Sequence, residues 1–242
     1  MVKSVMVSLF AFTLSLLLIS VCSAAIFFEE DFESGEIDQN KWKPTGNWKV
    51  IDADGPEVLG KYVLYIDGGE AGISVKDDFE DFEYHADFRS GTGYTGFVFR
   101  AQDSANNFYM HQISVTGSGH TPNNMRWHWK VNGAWNVEPI PFMNGVTLDM
   151  NVWYHVKFIV QDYTFKVWVV ELEKMDKEPM VQIGEWTDEG KNFRVGAIGF
   201  RSSGGEVMEY DNIVVGEIGA TVTAVEPGNK LTTTWGELKK GL

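Results

Sequence analysis

Cysteine is nearly absent from this chain, since Cys22 is the only one among its 242 residues. Cys22 lies at the end of an apolar N-terminal segment, and cleavage after Ala24 or Ala25 would leave a mature chain without cysteine. Such a chain can form no disulfide and can use no thiol in catalysis. We therefore expect the fold to depend on its hydrophobic core, to which a bound metal ion could add.

Basic side chains are also scarce. The sequence contains 20 Lys and Arg against 34 Asp and Glu, which gives a formal net charge of −14 at pH 7. Binding to a phosphate backbone needs clustered Lys and Arg, and the sequence shows no such cluster. Nucleic acids and anionic membranes are therefore not expected as partners. The acidity suits an extracellular protein and supplies carboxylates that could bind calcium.

Several familiar catalytic patterns are missing too. The sequence has no Gly-x-Ser-x-Gly elbow, no P-loop and no dinucleotide-binding fingerprint. The five histidines show neither the His-Glu-x-x-His pattern nor another compact ligand spacing. A catalytic zinc site is therefore not expected.

The one long apolar run, Val5 to Val21, predicts a secretory signal peptide over residues 1–24. Lys3 supplies the positive start, and small residues directly after the run offer a cleavage site. The alternative is an uncleaved membrane anchor, because the run approaches the ~20 residues of a spanning helix. Cleavage is the favoured interpretation, and the expected localisation is secreted, either extracellular or periplasmic.

The stretch from Phe82 to Val115 contains three runs of alternating side chains, separated by breaks rich in Gly or in Asn, Asp and Ser. Such alternation is typical of a strand with one buried face. In the first run the apolar face contains Phe82, Tyr84, Ala86 and Phe88, and the polar face contains Glu83, His85, Asp87 and Arg89. In the second run Phe97, Phe99 and Ala101 oppose Val98, Arg100 and Gln102. The pattern predicts a β-sandwich that binds a ligand on a polar second face.

Similar runs elsewhere bring the predicted total to about a dozen strands. Asp67-Gly68-Gly69 predicts a hairpin-type turn, Asn132-Gly133 predicts a turn towards Trp135, and Gln161-Asp162-Tyr163 joins two strongly β-prone runs. No helical period lasts more than about two turns before residue 230. The predicted fold class is all-β, an antiparallel sandwich over residues 25–217.

The composition changes after Gly216, and residues 218–242 are predicted to form a linker and a C-terminal tail. Glu226-Pro227-Gly228 breaks the chain, and Thr234 could cap a short helix that ends at Lys240. A disordered tail is the favoured interpretation. The alternative is a sorting or docking tag that binds a cell-surface partner.

The order of these segments resembles the concanavalin A-like lectin/glucanase jelly rolls, specifically the branch with laminin-G-like and 3-keto-disaccharide hydrolase-like domains. The matching pieces, within residues 27 to 216, are EEDFESG, GFVFRAQDSANNFYMHQIS, WYHVKFIVQDYTFKVWV and GAIGFRSSGGEVMEYDNIVV. The resemblance implies a two-sheet jelly roll. It leaves function open, because this fold is shared by lectins, carbohydrate-binding modules, adhesion domains and hydrolases.

The first test for an enzyme is a pair of catalytic carboxylates. Family-16 glycoside hydrolases with this fold use Glu-x-Asp-x-Glu, whose alternate carboxylates share one face of a strand. A literal match exists at Glu29, Asp31 and Glu33. It lies at the mature N-terminus, however, and Glu30 stands where that family has an apolar residue. We interpret the match as a decoy.

A second strand offers Glu209 and Asp211, but Ile213 stands in place of the third carboxylate. No catalytic residue is predicted from either segment. The protein is therefore expected to bind rather than to catalyse, although a hydrolase of the 3-keto-disaccharide type stays open as an alternative.

The resemblance also implies a structural calcium ion, because many jelly rolls of this type use calcium to join the first strand to the last. Asp31, Glu33 and the carbonyl of Gly35 would come from one end of the domain, and Asp211 from the other. The alternative is that Asp31 and Glu33 are simply solvated.

Proteins typically bind sugars through planar side chains that form hydrogen bonds, and through aromatic rings that stack on the apolar faces of the sugar. The residues that we predict to bind a ligand are Arg100, Gln102, Tyr109, His111, Gln112, Arg126, His128, Trp135 and Arg201. For Arg100 and Arg201 the alternative is a structural ion pair with an acidic neighbour. In residues 125–131, the face with Arg126 and His128 is expected to point outwards, and the face with the tryptophans into the core.

These observations predict a secreted lectin-like module that binds an oligo- or polysaccharide. Two alternatives stay open: a glycoside hydrolase of the 3-keto-disaccharide type, and a laminin-G-like adhesion module that binds protein. A cleft with two carboxylates roughly 5 to 9.5 Å apart would favour hydrolysis. A polar groove with an exposed tryptophan would favour sugar binding, and a flat apolar patch would favour a protein partner.

Overall fold

The computed structural model describes residues 25–117, 124–139 and 143–219. The predicted signal peptide and residues 220–242 of the predicted tail lie outside the described residues. Within the described ranges no helix is long and apolar enough to cross a membrane. The strands found there are β1 (Ile26–Glu30), β2 (Trp42–Lys43), β3 (Trp48–Asp52), β4 (Tyr62–Asp67), β5 (Gly72–Ser74), β6 (Phe82–Ser90), β7 (Tyr94–Ala101), β8 (Phe108–Ser114), β9 (Asn124–Val131), β10 (Ala134–Pro139), β11 (Trp153–Gln161), β12 (Thr164–Glu171), β13 (Val181–Thr187), β14 (Ala197–Phe200) and β15 (Val207–Gly216).

The strands form two antiparallel sheets, and this confirms the predicted all-β sandwich. One sheet has eight strands in the order β13-β12-β11-β6-β15-β4-β3, with β1 also paired to β15. The other has seven strands in the order β10-β9-β8-β7-β14-β5-β2. Strands β1 and β4 pair with successive parts of β15: β4 faces its first half, and β1 faces its second half.

The core lies between the sheets and is rich in aromatic rings. Phe88 of β6 and Phe97 of β7 meet edge to face with ring centroids 5.5 Å apart, and Tyr84 meets Phe99 in the same way at 5.8 Å. The four apolar residues predicted on one face of β6 all belong to this core. Their alternation therefore marks the inward face correctly.

Two of the predicted turns join neighbouring strands. Asn132 and Gly133, with φ values of 49° and 82°, connect β9 to β10, and Val131 pairs with Ala134 across the turn. Positive φ at both central residues is what a two-residue hairpin of type I′ requires. Asp162, with φ of 51°, lies in the turn between β11 and β12.

The predicted hairpin at Asp67-Gly68-Gly69 is wrong. Strand β4 belongs to the eight-stranded sheet and β5 to the seven-stranded one, so this turn carries the chain from one sheet to the other. Gly68 and Gly69 have φ values of 72° and 121°, which suit glycine. A Cβ on Gly69 would lie 2.9 Å from the Cα of Gly46, so the close approach of two loops also requires glycine there.

The alternation of β7 fails at Arg100, where φ is 47°. Ala101 pairs with Ala197 and Val98 with Gly199, so three steps along β7 match two along β14. This bulge turns the Arg100 side chain inwards and places Ala101 with Val98 in a small apolar cluster outside the main core. The predicted facing of Arg100 and Ala101 is therefore wrong, because alternation assumes an unbroken register.

Candidate functional site

The outer face of the seven-stranded sheet contains a groove of about 310 Å³. Its described lining consists of Met110, Gln112, Arg126, His128, Trp135, Asn136, Val137 and Arg201. The structure thus brings together five of the residues predicted to bind a ligand: Gln112, Arg126, His128, Trp135 and Arg201.

Strand alternation places the polar side chains in this groove. Gln112 of β8 lies opposite Arg126 of β9, and Met110 lies opposite His128. The neighbours that point the other way, including Trp127, are buried in the core. The Nε2 atom of His128 lies 3.0 Å from Oε1 of Gln112, so the ring and the amide hold each other in place across the strands.

Trp135 forms one wall of the groove and is 43% exposed. It lies opposite Lys130 in the β9–β10 pairing. The Nζ atom of Lys130 lies 5.0 Å from the Trp135 ring centroid, and Cζ of Arg201 lies 4.9 Å from it. Cation–π attraction therefore holds two positive charges against the indole.

Arg201 directly follows β14, and its backbone N–H donates to the carbonyl of Gly96 at 3.1 Å. A Cβ at position 96 would lie 2.5 Å from the Arg201 carbonyl oxygen, so glycine is needed for β7 to pass so close. The Nε atom of Arg201 lies 3.8 Å from a carboxylate oxygen of Glu70, whose side chain is 59% exposed. The Arg201 side chain is only 18% exposed, lines the groove, and has a buried Nε without a hydrogen-bond partner among the described residues.

The groove carries a positive potential at His128. Burial, together with the nearby charges of Arg126 and Arg201, lowers the pKa of His128 to about 4. His128 is therefore neutral at physiological pH. A neutral imidazole can donate one hydrogen bond and accept another.

A smaller hollow adjoins the groove and shares Gln112 and Arg126 with it. Tyr94, Ser114 and Asn124 complete its described lining. The two hollows follow one another across β7, β8 and β9. This arrangement suits an elongated ligand better than a single small ring.

Arg100 lies away from the groove and is fully buried. Its guanidinium donates to the carbonyl oxygens of Glu80, Asp162 and Phe193 and to the carboxylate of Asp81. Burial lowers the pKa of Arg100 to about 10. Arg100 therefore ties three loops together, which is the structural role that the sequence left open as an alternative.

Tyr109 and His111 face the core from β8. The Tyr109 hydroxyl donates to Asp188 at 2.5 Å and accepts the Phe193 N–H at 2.9 Å. His111 packs at 4.3 Å, centroid to centroid, against Trp127, and its ring nitrogens have no hydrogen-bond partner among the described residues. Burial lowers the pKa of His111 to about 3.

Gln102 is exposed beyond the bulge in β7, where its amide donates to the backbone carbonyls of Arg100 and Val195. It does not line the groove.

Sequence reasoning missed Met110, Asn136 and Val137, which do line the groove. The available signal was the Asn-Gly hairpin, because continuing β10 past Trp135 would have placed Val137 on the same face.

The residues proposed for calcium do not form a metal cluster in the described part of the chain. The Asp31 carboxylate accepts the Glu33 N–H at 3.2 Å, and the Glu33 carboxylate accepts the N–H groups of Lys61 and Tyr62. Asp211 is fully buried within the eight-stranded sheet. Across the described ranges no three or more His, Cys, Asp or Glu side chains cluster closely enough to hold a metal. Calcium binding stays a prediction from the sequence alone.

The Glu-x-Asp-x-Glu match does not form a strand face either. Glu29 lies in β1, which ends at Glu30, and Asp31 and Glu33 follow in the turn. Glu209 is engaged elsewhere, because Nε of Arg89 donates to its carboxylate at 2.8 Å. None of these carboxylates lines the groove.

A second polar assembly lies on the outer face of the eight-stranded sheet. Glu83 Oε1 lies 2.8 Å from His85 Nε2, His85 Nδ1 lies 2.9 Å from His155 Nε2, and His155 Nδ1 lies 2.6 Å from Asp87 Oδ1. Asn212 donates to the other Asp87 oxygen at 2.8 Å. We call these five residues the polar chain. With both carboxylates ionised, the three contacts made by the imidazole rings are all hydrogen bonds only if the two rings share three N–H hydrogens, one more than two neutral imidazoles carry.

The polar chain is covered rather than open. Glu83, His85, Asp87 and His155 are each 7% exposed or less. A small apolar cluster of Leu59, Val63, Trp153 and Leu172 packs on the same face of this sheet. The Gly219 N–H donates to Glu83 at 3.0 Å. The chain is therefore a buried structural network.

Solved structures with a similar fold include several carbohydrate-related domains. Carbohydrate-binding module CBM66 from Bacillus subtilis gives a TM-score of 0.53 at 20% identity, over 74% of this chain and 96% of that one. A protein of unknown function with a galectin-like fold, also from Bacillus subtilis, gives 0.54 at 13% identity, over 81% and 97%. Domain 4 of the GH43 extracellular arabinanase AbnA from Geobacillus stearothermophilus, in complex with arabinotriose, gives 0.50 at 13% identity, over 81% and 93%. At these identities the similarity concerns the fold.

Among curated proteins, no relative matches the chain. A family model does match, and it extends from β1 to the end of β15, which is nearly the whole described sandwich. That match covers residues 28–216 and shows that the chain belongs to the 3-keto-α-glucoside-1,2-lyase-like domain family.

Proposed function

We propose that this protein is a secreted carbohydrate-binding module whose ligand lies in the groove on the seven-stranded sheet. The observation that carries the proposal is the combination of planar hydrogen-bonding side chains with an exposed tryptophan in one groove. Gln112, Arg126 and Arg201 offer amide and guanidinium donors, and Trp135 offers an aromatic wall. The groove volume of about 310 Å³ lies at the lower end of the range for small-molecule sites.

The comparisons support this proposal without establishing it. CBM66 is by name a carbohydrate-binding module, and the arabinanase domain was solved with a bound arabinotriose. Secretion is supported by the signal-peptide pattern at the N-terminus of the sequence. N-terminal sequencing of the exported protein tests it, and a mature start at Ala25 or Ile26 is expected.

A glycan array probed with the purified protein tests the proposal, with and without a calcium chelator. We expect at least one family of related glycans to bind. Absence of any glycan signal in both conditions contradicts the binding function. A melting temperature unmoved by the chelator removes the predicted calcium ion.

A lyase or hydrolase acting on 3-keto-glucosides is a second candidate, and the family match is the observation that favours it. The described lining of the groove contains no pair of carboxylates, which weakens the candidate for a carboxylate-dependent mechanism. Incubation with a 3-keto-α-glucoside separates the two functions. Cleavage by the purified protein that is lost in the Trp135→Ala variant would establish an enzyme in this groove.

A further inference from the structure

The charge of the groove is opposite to that of the molecule. The protein as a whole has a formal charge of −14, yet the described lining contains two guanidinium groups and no carboxylate. Lys130 adds a third cation beside Trp135. The two internal segments outside the described residues, 118–123 and 140–142, contain no Asp or Glu in their sequence.

The arrangement around Trp135 also argues against a purely neutral ligand. A neutral sugar binds tryptophan by stacking its apolar face on the indole. Here Arg201 and Lys130 already lie 4.9 Å and 5.0 Å from the ring centroid. A sugar stacked on the indole would have to displace these cations. An acidic sugar would instead be attracted to their positive charge.

The indole also limits the freedom of both cations. Long basic side chains lose rotamer entropy when they grip a ligand, and a side chain already held by packing loses less. The Arg201 side chain is also only 18% exposed, so packing restrains it further. The positive groups are thus positioned before any ligand arrives.

Arg126 lies where the groove meets the adjoining hollow, because it lines both. Arg201 lines only the groove. Two guanidinium groups at separate positions along an elongated site match acidic groups on more than one sugar residue. Guanidinium recognises carboxylate and sulfate through paired hydrogen bonds.

We propose that the groove selects carbohydrates that carry acidic groups, as uronic acid carboxylates or sulfate esters, with Arg201 and Arg126 as the recognising residues. This inference rests on the proposed binding function and names its ligand class. Glu70 lies 3.8 Å from Arg201 and is largely exposed, so an arriving acidic group replaces it as the partner of Arg201. Trp135 acts by positioning Arg201 and Lys130.

Matched ligand pairs test the proposal by isothermal titration calorimetry. The first pair is a galacturonate oligomer and its fully methyl-esterified form, which share a backbone and differ in charge. The second pair is a sulfated galactan oligomer and its desulfated form. We expect one acidic member to bind at least tenfold more tightly than its neutral counterpart, and to weaken as salt is raised because salt screens charge.

Variants connect the preference to the groove. Arg201→Gln and Arg126→Gln should each reduce affinity for the acidic oligomer about tenfold or more and reduce its salt dependence. Lys166→Gln is the matched control, because Lys166 is an exposed cation on the other sheet, 3.6 Å from Glu185. It removes the same charge from the protein and should leave affinity within twofold.

The outcomes separate this inference from the function beneath it. Tighter binding of the neutral members, or of a neutral glycan from the array, overturns acidic selection and leaves the binding function intact. Equal losses in Arg201→Gln and Lys166→Gln overturn the role of Arg201, because the effect would then be one of net charge. Failure of every glycan to bind overturns both proposals.

Discussion

The two sheets of this sandwich both carry polar side chains on their outer faces, but the two faces differ in what covers them. On the eight-stranded sheet, Glu83, His85, His155 and Asp87 bond to one another beneath loops and are almost fully buried. On the seven-stranded sheet, Gln112, Arg126, His128 and Arg201 border an open groove. The polar side chains of the first face contact mainly one another. The second retains donors that a ligand can use.

A polar strand face is therefore not by itself a binding site. A buried polar group must find partners within the protein, because leaving it unpaired costs free energy. Polar chemistry on the covered face therefore contributes to stability, and polar chemistry on the open face is available for recognition. Substitutions on the two faces should separate stability from affinity.

The largest expected effect is on the covered face. Asp87→Ala removes the acceptor of both His155 and Asn212, which lie 2.6 Å and 2.8 Å from its oxygens. His155 is then left as a buried donor without its acceptor, while the half-buried Asn212 keeps its contact with the Val58 carbonyl at 3.3 Å. The free energy of unfolding should therefore fall by about 2 kcal/mol or more. Urea denaturation measures the loss, while glycan affinity of the folded variant should stay within twofold.

Asp87→Asn is the companion variant, because it keeps the size of the side chain and one acceptor oxygen. It should lose less stability than Asp87→Ala. A loss below about 1 kcal/mol for Asp87→Ala would mean that the polar chain is not a structural network. A strong loss of affinity with unchanged stability would reverse the assignment of the two faces.

The next effect in size is on the open face. Trp135→Ala should weaken glycan binding about tenfold or more, because it removes the wall of the groove and releases Arg201 and Lys130. Its free energy of unfolding should change by less than about 1 kcal/mol, since Trp135 is 43% exposed. Calorimetry and urea denaturation give the two values.

Trp168→Ala is the matched control. Trp168 lies in β12 of the other sheet, is half-buried, and has Nζ of Lys157 at 4.7 Å from its ring centroid. This variant removes the same kind of cation–π pair from the eight-stranded sheet, away from the groove. Equal loss of affinity in both tryptophan variants would contradict the location of the site.

The smallest effect is a pH dependence at His128. Its pKa in the folded protein is lowered to about 4, mainly by burial, whereas an unfolded histidine titrates near 6.5. Between these values the unfolded state takes up a proton that the folded state does not. The free energy of unfolding should therefore fall as pH falls through this window. Because His128 is partly exposed, its contribution between pH 7 and pH 5 should be less than about 1 kcal/mol.

Urea denaturation of the wild type and of His128→Gln at pH 7 and pH 5 isolates this contribution. His111, whose pKa is lowered to about 3, adds a dependence of the same sign in both proteins, so the difference between them reports His128. We expect the variant to lose less stability on acidification. An equal loss in both proteins would mean that His128 is not held neutral by the groove.

Much of the fold could be predicted because alternation and turn chemistry are local signals. Phe82, Tyr84, Ala86 and Phe88 were assigned to the core correctly from their spacing alone. The Asn132-Gly133 turn was also predicted, because Asn and Gly adopt positive φ more readily than other residues do. The turn at Gly68 was predicted as a hairpin and is a crossing between sheets. Glycine permits both, and only the distant partners of β4 and β5 distinguish them.

The groove could be predicted in part. Gln112, Arg126, His128, Trp135 and Arg201 follow from regular alternation and the hairpin. Arg100 does not, because a bulge turns it inwards, and a bulge depends on how β7 pairs with β14. Tyr109 and His111 look like ligand contacts in the sequence because they are polar. They are buried because the residues next to them in β8, Met110 and Gln112, face outwards. Which of the two faces of β8 points outwards is known only once its place in the sheet is known.

Hydrogen–deuterium exchange with and without a saturating glycan tests the central claim most directly, because exchange reports local protection along the chain. Bound glycan should slow exchange in peptides from β8, β9 and β10, which border the groove. Peptides from β6 and β11, which carry the polar chain, should be unchanged. Protection of β6 and β11 without protection of β8 to β10 would contradict the account, because the ligand would then lie on the other sheet.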